Sequence, residues 1–431
     1  MRIVQAAACA GPLSNPSRGG HTVNFKSALA ELIARGEYAP MQAISVQSAQ
    51  GNYDIDVGDA LLQSVGAVIA QKIPKARVAA LVVDQAIEHT WAREVAASLQ
   101  AAGLRVVMHV VHASEENKSI AQVEKIWRFL IAQRVQRSDV LCAMGGGIVG
   151  DMAAFAASTY MRGIATVMIP TTLLAMVDAA IGGKTAVNLP ISSDALDASL
   201  SKNLSINLPT NLPTNSSPNL AKNMAGTICA PAWVVSDIRT LTTLSAREFR
   251  CGLAECVKHA LLADESILSW LETHREGLRA MDPARLVELV HRSVSVKAAI
   301  VSRDEHEQGE RAHLNLGHTF AHAIESLMHD QVHHGEAVSI GLVAMAAASQ
   351  AAGWWPNADK FQISKRLDDL GLPVRMPASV DREKLKNAMK LDKKGQSGAI
   401  RLVLLKGLGR PGVLDAASEH VIDAGLDAIG A

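Results

Sequence analysis

Residues able to hold a divalent cation gather between positions 250 and 336 of this chain. His318 and His322 stand four apart in NLGHTFAH, which puts both imidazoles on one side of a helix. His333-His334-Gly335-Glu336 opens a further helix-like stretch, and Glu255 sits in RCGLAECVK. Two imidazoles and one carboxylate make a common donor set for catalytic zinc, with one coordination position left for substrate. Spacing alone does not choose which histidines take part.

A second chemistry is written earlier in the chain. The apolar run Val140 to Met144 breaks into Gly145, Gly146 and Gly147, followed by Gly150-Asp151. A strand that runs into glycines and then a helix lets bare backbone N–H groups approach a phosphate. The letters fit G-x-G-x-x-G, yet a Rossmann fingerprint also needs an acidic residue about 20 positions on, at the end of the next strand. Here the next strand-like run, Thr166 to Ile169, ends in Pro170-Thr171-Thr172. The segment reads as a dinucleotide site of another kind. Gly183-Lys184-Thr185 suggests a phosphate loop, but that motif requires glycine where Asp178 stands.

These residues need elements to position them. The chain has 431 residues, enough for two to three domains, and 48% hydrophobic content for their cores. Lys and Arg balance Asp and Glu at 42 each, so no basic surface argues for nucleic acid or an acidic membrane. Aromatic residues are only 3%, which weakens a base-stacking platform. Five cysteines without a C-x-x-C pair suit reduced thiols in a cytoplasmic protein. No apolar stretch approaches the roughly 18 residues of a membrane span, and residues 1–42 read as a poorly ordered extension rather than a signal peptide.

From Ala43 strand-like and helix-like runs alternate. Ala43–Val46 and Asn52–Val57 are expected to pair, and Val78–Val83, Arg105–Val111, Val140–Met144 and Thr166–Ile169 are strand-like. Gly58–Gln71, a stretch reaching Ala102, and Ser119–Gln133 carry helical spacing. This alternation implies a parallel sheet covered on both faces, with ligands at the carboxyl ends of its strands, where Asp84, Glu115 and Lys118 fall. Residues 191–221 are rich in Ser, Asn, Pro and Leu, with Asn-Leu-Pro recurring at 188, 207 and 211, and read as a flexible insertion. After Trp233 the pattern is helical: Ser245–Leu262, Ser266–Glu276, Pro283–Val301, His318–Met328, Glu336–Ala352 and Ala358–Leu370, with a late β-like run at Ile400–Leu405. The expected fold is an α/β domain over 43–190 carrying the glycine loop, and a mostly α-helical domain over 222–431 carrying the metal site.

The stretches GGGIVGD, YMRG, PTTLLAMVD, GGKTAVN, REFRCGLAECVKHA, VKAAIVSRDEHEQGERAHLNLGHTFAHAIE and HHGEAVSIG occur in the order and spacing of the sugar-phosphate cyclases, and the chain resembles the 3-dehydroquinate synthase family among them. The resemblance covers roughly residues 43 to 410. It implies that Glu255, His318 and His334 bind zinc, or cobalt in its place, and that His322 faces substrate instead. It implies that Asp84, Glu115, Lys118, Gly146, Gly147, Asp151, Thr171, Thr172, Thr243 and Glu248 line an NAD site. Arg162, Asp178, Lys184, Lys222, Asn223, Lys258, Lys297, Arg311, Asn315, His322 and one of Lys393 or Lys394 would surround a sugar-acid phosphate, whose dianion and carboxylate need such a set of cations. A homodimer is implied likewise.

The implied reaction closes 3-deoxy-D-arabino-heptulosonate 7-phosphate into 3-dehydroquinate with release of phosphate, in the shikimate pathway. NAD takes and later returns a hydride within each turnover. Phosphate leaves by elimination next to the transient ketone, and an intramolecular aldol step forms the carbocycle. Two departures from the family pattern stand out. The insertion separates Pro190 from Lys222-Asn223, and a second pair, Lys202-Asn203, lies inside it; the spacing of Gly226 and Pro231 to Asp237 and Glu255 favours Lys222-Asn223. Ala86 stands where members often carry Asn. The rival readings are another sugar-phosphate cyclase and a metal-dependent alcohol or polyol-phosphate dehydrogenase. A non-catalytic binding protein is disfavoured by the intact donor and lysine sets.

Overall fold

The computed structural model describes residues 42–190, 220–263, 265–328, 331–378, 380–392 and 399–431. The N-terminal extension expected over 1–42 lies outside them up to residue 41, as do 191–219 with Lys202 and Asn203, and Lys393 and Lys394. The described residues form one compact unit.

Short β-branched runs build the first half. Strands β1 (Gln42–Val46), β2 (Tyr53–Gly58), β3 (Val78–Asp84), β4 (Arg105–Val111), β5 (Val140–Gly145), β6 (Ala165–Pro170) and β9 (Trp233–Asp237) form a seven-stranded sheet in the order β1-β2-β9-β6-β5-β3-β4. Only β1 and β2 pair antiparallel, in the register Gln42↔Val57 to Val46↔Tyr53, as their spacing suggests. Every other pairing in this sheet is parallel.

Strands β3, β5 and β9 are buried along nearly their whole length because both faces of the sheet are covered. Alternate residues divide between two cores. Ala79, Leu81, Val83, Cys142, Met144 and Ile169 pack with Val65 and Ile69 of α1 (Val65–Lys72) and Val95 and Leu99 of α2 (Trp91–Ala101). Ala80, Val82, Leu141, Ala143 and Val234 join the opposite core, which holds Val123, Ile126 and Leu130 of α3 (Ile120–Ala132) and Val149 and Met152 of α4 (Gly147–Thr159). That second core runs on without a break into the helical half.

The helical half comprises α5 (Ala246–Ala263), α6 (Glu265–Arg279), α7 (Pro283–Arg303), α8 (His318–Leu327), α9 (His334–Ala351), α10 (Ile363–Asp369), α11 (Arg382–Asp392) and α12 (Glu419–Ala428). Asp282 caps α7 by accepting from Ala284 N and Arg285 N, with Pro283 in the first turn, where its missing N–H costs nothing. The single helix expected over Ala358–Leu370 is two pieces, because Gln362 adopts a left-handed φ of 47° between a 3-10 turn and α10. The late β-like run is β10 (Leu402–Leu405), paired antiparallel with β11 (Pro411–Leu414). Strand β9 lies in the sheet although it follows the boundary placed at 222, and β7 (Val187–Pro190) pairs with β8 (Leu220–Ala225) across the insertion. Among the described residues no helix is long and apolar enough to cross a membrane.

Candidate active site

On the sheet side, β5 ends at Gly145 and α4 starts at Gly147, so the first-turn N–H groups of α4 face the strand ends. A side chain on Gly146 would meet Thr172 Cγ2 at 3.3 Å, and one on Gly147 would meet Ala179 Cβ at 3.1 Å. The loop is therefore packed closely against Thr172 and Ala179. Asp84, at the end of β3, accepts from Ala86 N at 3.0 Å.

Lys118 donates to Asp151 Oδ2 and to Asn223 Oδ1, each at 2.5 Å. Asn188 Nδ2 donates to Glu115 Oε1 at 2.7 Å, and its Oδ1 accepts from Asn223 N at 2.9 Å. Glu115, Lys118 and Asp151 thus share one corner, as the resemblance implies. Asn223, expected among the substrate groups, joins that corner. Thr243 accepts from Trp91 Nε1 at 2.9 Å, and Glu248 pairs with His333 Nδ1 at 2.7 Å, which gives His333 a partner that its sequence context did not indicate.

On the helical side, α5 carries Glu255, α8 carries His318 and His322, and α9 carries His334. Glu255 is fully buried, and neither carboxylate oxygen has a well-aligned hydrogen-bond donor, although Lys258 Nζ lies 2.5 Å from Oε2. Its other oxygen, Oε1, faces His318 Nε2 at 3.5 Å and His334 Nε2 at 3.6 Å. Each imidazole is anchored through its remaining nitrogen. His318 Nδ1 contacts Leu316 O at 3.1 Å, and His334 Nδ1 contacts Glu325 Oε2 at 3.0 Å. Three donor atoms lie within 4.8 Å of one another, and a buried carboxylate lacking proper donors is what a cation would satisfy.

The electrostatics agree. Burial, with Lys258 nearby, lowers the His318 imidazole to about 4, so it is neutral and can donate a lone pair. Burial also works to lower His334, but Glu255 and Glu325 outweigh it and push the imidazole up to about 10. A proton thus stands where a metal would compete for the same nitrogen. His322 stands beside the set, with ring centroids 5.3 Å from His318 and 6.2 Å from His334, and is not one of the converging donors.

Two other groups come within ligand distance. Asp178, Glu255 and His259 do so, but Lys258 Nζ already lies between those carboxylates, 2.5 Å from Glu255 and 4.0 Å from Asp178. Glu248, Cys251 and His333 also converge, but burial pushes the Cys251 thiol up to about 12, far from the thiolate that a metal needs.

Lys184, Lys222, Lys258, Lys297 and Arg311 each engage a partner in the structure. Lys297 donates to Asp178 Oδ1 at 2.6 Å and to its carbonyl at 2.7 Å, and Lys258 Nζ is 4.0 Å from the same carboxylate. Burial would raise Asp178, but the two ammonium groups hold it well below the usual carboxylate range. Arg311 donates to Gly182 O at 3.1 Å, Lys184 pairs with Glu307, and Asn315 donates to Glu307 at 2.9 Å. Lys222 pairs with Glu325 at 2.7 Å. Arg162 differs: it is exposed, left-handed at φ 64°, and among the described residues makes no ion pair. Glu307 and Glu325 were not singled out in sequence. Glu325 could have been, since it falls at i+7 from His318 on the same face of α8.

His259 is buried beneath this array, with Nδ1 2.6 Å from Ser293 Oγ and no partner for Nε2. Burial, and Lys258 beside it, lower its pKa to about 3. An unfolded histidine takes its proton near pH 6.5, so the unfolded chain binds more protons than the folded one between those values, and stability falls as pH drops below about 6.5. At pH 5 the loss from this one group is about 2 kcal/mol. Urea midpoints at pH 7 and 5 check it: His259→Asn is expected to show a shallower acid loss than wild type, and equal slopes would remove the assignment.

A glycine loop at a strand end, facing a carboxylate–imidazole donor set in a helical half, is the arrangement of the dehydroquinate synthase-like enzymes. A solved 2-deoxy-scyllo-inosose synthase, complexed with carbaglucose-6-phosphate, NAD+ and Co2+, superposes with a TM-score of 0.75 at 22% identity, over 90% of this chain and 100% of its own. A 2-epi-5-epi-valiolone synthase from Streptomyces hygroscopicus subsp. jinggangensis 5008, with NAD+ and Zn2+ bound, gives 0.74 at 25% identity, over 90% and 98%.

Sequence comparison narrows the class. Residues 108–214 match the 3-dehydroquinate synthase N-terminal family and residues 252–395 its C-terminal counterpart. The 3-dehydroquinate synthase of Nitrobacter winogradskyi is 39% identical over 377 residues, which is 85% of this chain and 90% of that protein. The chain belongs to the 3-dehydroquinate synthase family, and its activity is the lyase reaction that forms 3-dehydroquinate in the shikimate pathway.

Proposed function

We propose that the chain forms 3-dehydroquinate from 3-deoxy-D-arabino-heptulosonate 7-phosphate with NAD and one divalent cation, zinc or cobalt, as a cytoplasmic homodimer. The observation that carries this reading is the convergence of Glu255 Oε1, His318 Nε2 and His334 Nε2 beside the buried Lys258–Asp178–Lys297 array. When bound, NAD would accept a hydride from the carbinol carbon and later return it, and the cation would polarise the oxygen on that carbon, which gives up its proton.

The chain's own residues do the rest. The first-turn N–H groups of α4 would hold the dinucleotide phosphates, and Lys118, paired with Asp151, would add a positive charge to that site. Lys258 and Lys297, themselves buried and paired with Glu255 and Asp178, keep positive charge at the reacting end of the substrate without the freedom of a surface lysine. Lys184, Lys222 and Arg311 supply charge for the phosphate and carboxylate, and Glu307 yields Lys184 when substrate anions compete for it. His322 and Asn315 lie where they can steady the reacting oxygens. Once the ring alcohol is a ketone, the adjacent C–H is acidic, and phosphate can leave with its own oxygen as the base. Ring opening and aldol closure then follow inside the same walls.

Phosphate release from the heptulosonate phosphate, with NAD far below substrate and before and after chelation, tests this. Many turnovers per NAD that stop on chelation and return with zinc are expected. Phosphate released from sedoheptulose 7-phosphate or glucose 6-phosphate instead would move the chain to another cyclase specificity, and NADH accumulating with a simple alcohol would move it to the dehydrogenases.

A further inference from the structure

Glu325 belongs to none of the residue sets above, yet it touches both a candidate metal ligand and a candidate substrate lysine. It projects from the last turns of α8, seven residues after His318, with its side chain 20% exposed. Oε2 lies 3.0 Å from His334 Nδ1, and Oε1 lies 2.7 Å from Lys222 Nζ. The neighbouring Asn223 turns the other way, to Lys118 and Asn188.

An imidazole has two nitrogens and a soft, two-fold ring torsion. An acceptor fixed at Nδ1 keeps a proton there, so that a metal need displace only the proton on Nε2, the nitrogen aimed at Glu255 and His318. Carboxylates behind metal-bound histidines do this, and their loss typically weakens metal binding about 10–100-fold. A lysine next to a cation site also needs a counter-charge, or it would repel the ion. One carboxylate can serve both groups, because an ionised Glu accepts at both oxygens. An amide could not, since its NH2 would face one of two donors.

We propose that Glu325 is a positioning residue that orients His334 for metal binding with one oxygen and holds Lys222 at the substrate side with the other. The inference rests on the reading of Glu255, His318 and His334 as the metal ligands. It assigns two separable effects to one side chain, metal affinity through His334 and substrate affinity through Lys222.

The test is titration of metal-stripped protein with Zn2+ against a chromophoric chelator, and with Co2+ read by its visible spectrum, in wild type, Glu325→Ala, Glu325→Gln and Lys222→Met. Glu325→Ala is expected to bind Zn2+ about 10–100-fold more weakly, with an altered Co2+ spectrum. Lys222→Met is expected to keep wild-type metal affinity and raise KM. Glu325→Gln retains an oxygen for Nδ1 and loses the charge for Lys222, so its KM should rise as in Lys222→Met while Zn2+ affinity falls less than in the alanine variant. Wild-type Zn2+ affinity and Co2+ spectrum in Glu325→Ala would overturn the proposal alone. If that variant does not fold, wild-type affinity and wild-type KM in Glu325→Gln overturn it equally. A wild-type chain whose metal binding is indifferent to Glu255→Gln would instead remove the ligand assignment, and the proposal with it.

Discussion

Glu255→Gln is expected to leave the protein without stoichiometric metal and to lower turnover by about three orders of magnitude or more. The argument starts from burial. Glu255 is inaccessible to water, Lys258 balances one of its oxygens, and the other faces only two imidazole nitrogens at 3.5 and 3.6 Å. An amide in that place loses the charge that draws a dication between the rings, and it can present NH2 toward the donors. Metal polarisation of a reacting oxygen contributes several kcal/mol of transition-state stabilisation, and each 1.36 kcal/mol is about tenfold in rate. Metal analysis of the purified variant, alongside phosphate release, checks both halves of the expectation. NAD binding to the variant shows whether the sheet half is intact. A variant that keeps its metal and its rate would overturn the ligand assignment.

Lys297→Met is expected to cost about 2 kcal/mol of stability, because it removes the nearest charged donor from Asp178, whose side chain is 28% exposed. Lys297 is only 6% exposed and donates twice to Asp178, at 2.6 and 2.7 Å. Lys258, 4.0 Å from the same carboxylate, and the partial exposure of Asp178 keep the cost below the range for fully buried pairs. Asp178→Asn in the Lys297→Met background should return a good share of that stability while turnover stays low in both. Urea unfolding of the two single variants and the double variant measures the coupling. Additive losses, with no recovery in the double variant, would mean that the pair does not act as a unit.

The parts of this fold that are legible in sequence are those with strong local periodicity. Val78–Val83 and Val140–Met144 are strands within a residue or two of expectation, and Ser245–Leu262 and Pro283–Val301 are helices to similar accuracy. Ala358–Leu370 was expected to be one helix because its apolar spacing continues across Gln362; nothing in the letters marks the left-handed break. Arg382–Asp392 escaped notice because charge dominates it and few apolar residues mark a buried face. Strand β9 is five buried residues whose place between β2 and β6 is set wholly by distant parts of the chain.

The site divides in the same way. The three donors and most of the cations were named from motifs that span the chain, and the structure brings them together. Glu307 was missed because its loop, Asp304 to Gly309, has no periodic signal and its partners, Lys184 and Asn315, are defined only in space. Asn223 is assigned to substrate by the resemblance alone, and its contacts with Lys118 and Asn188, made from a left-handed φ of 57°, have no signal in the sequence.

The place of β9 also bears on how the chain comes into being. Its parallel register runs from Asp54↔Trp233 to Gly58↔Asp237 on one side, and it meets β6 at Val167↔Trp233 and Met168↔Val234 on the other. Until Trp233–Asp237 have been made, β2 and β6 have no strand to fill the place between them, and each has an unpaired edge. Such edges invite pairing with other chains. The nascent sheet stays exposed to that hazard through the synthesis of some fifty further residues, and is relieved only when Asp237 has cleared the exit tunnel. The composition of residues 191–221, poor in charge yet rich in Asn, Ser and Pro, is what the chain emits during that interval. Few such residues favour strand pairing, so the waiting edges are offered little from their own chain that could fill the gap in error.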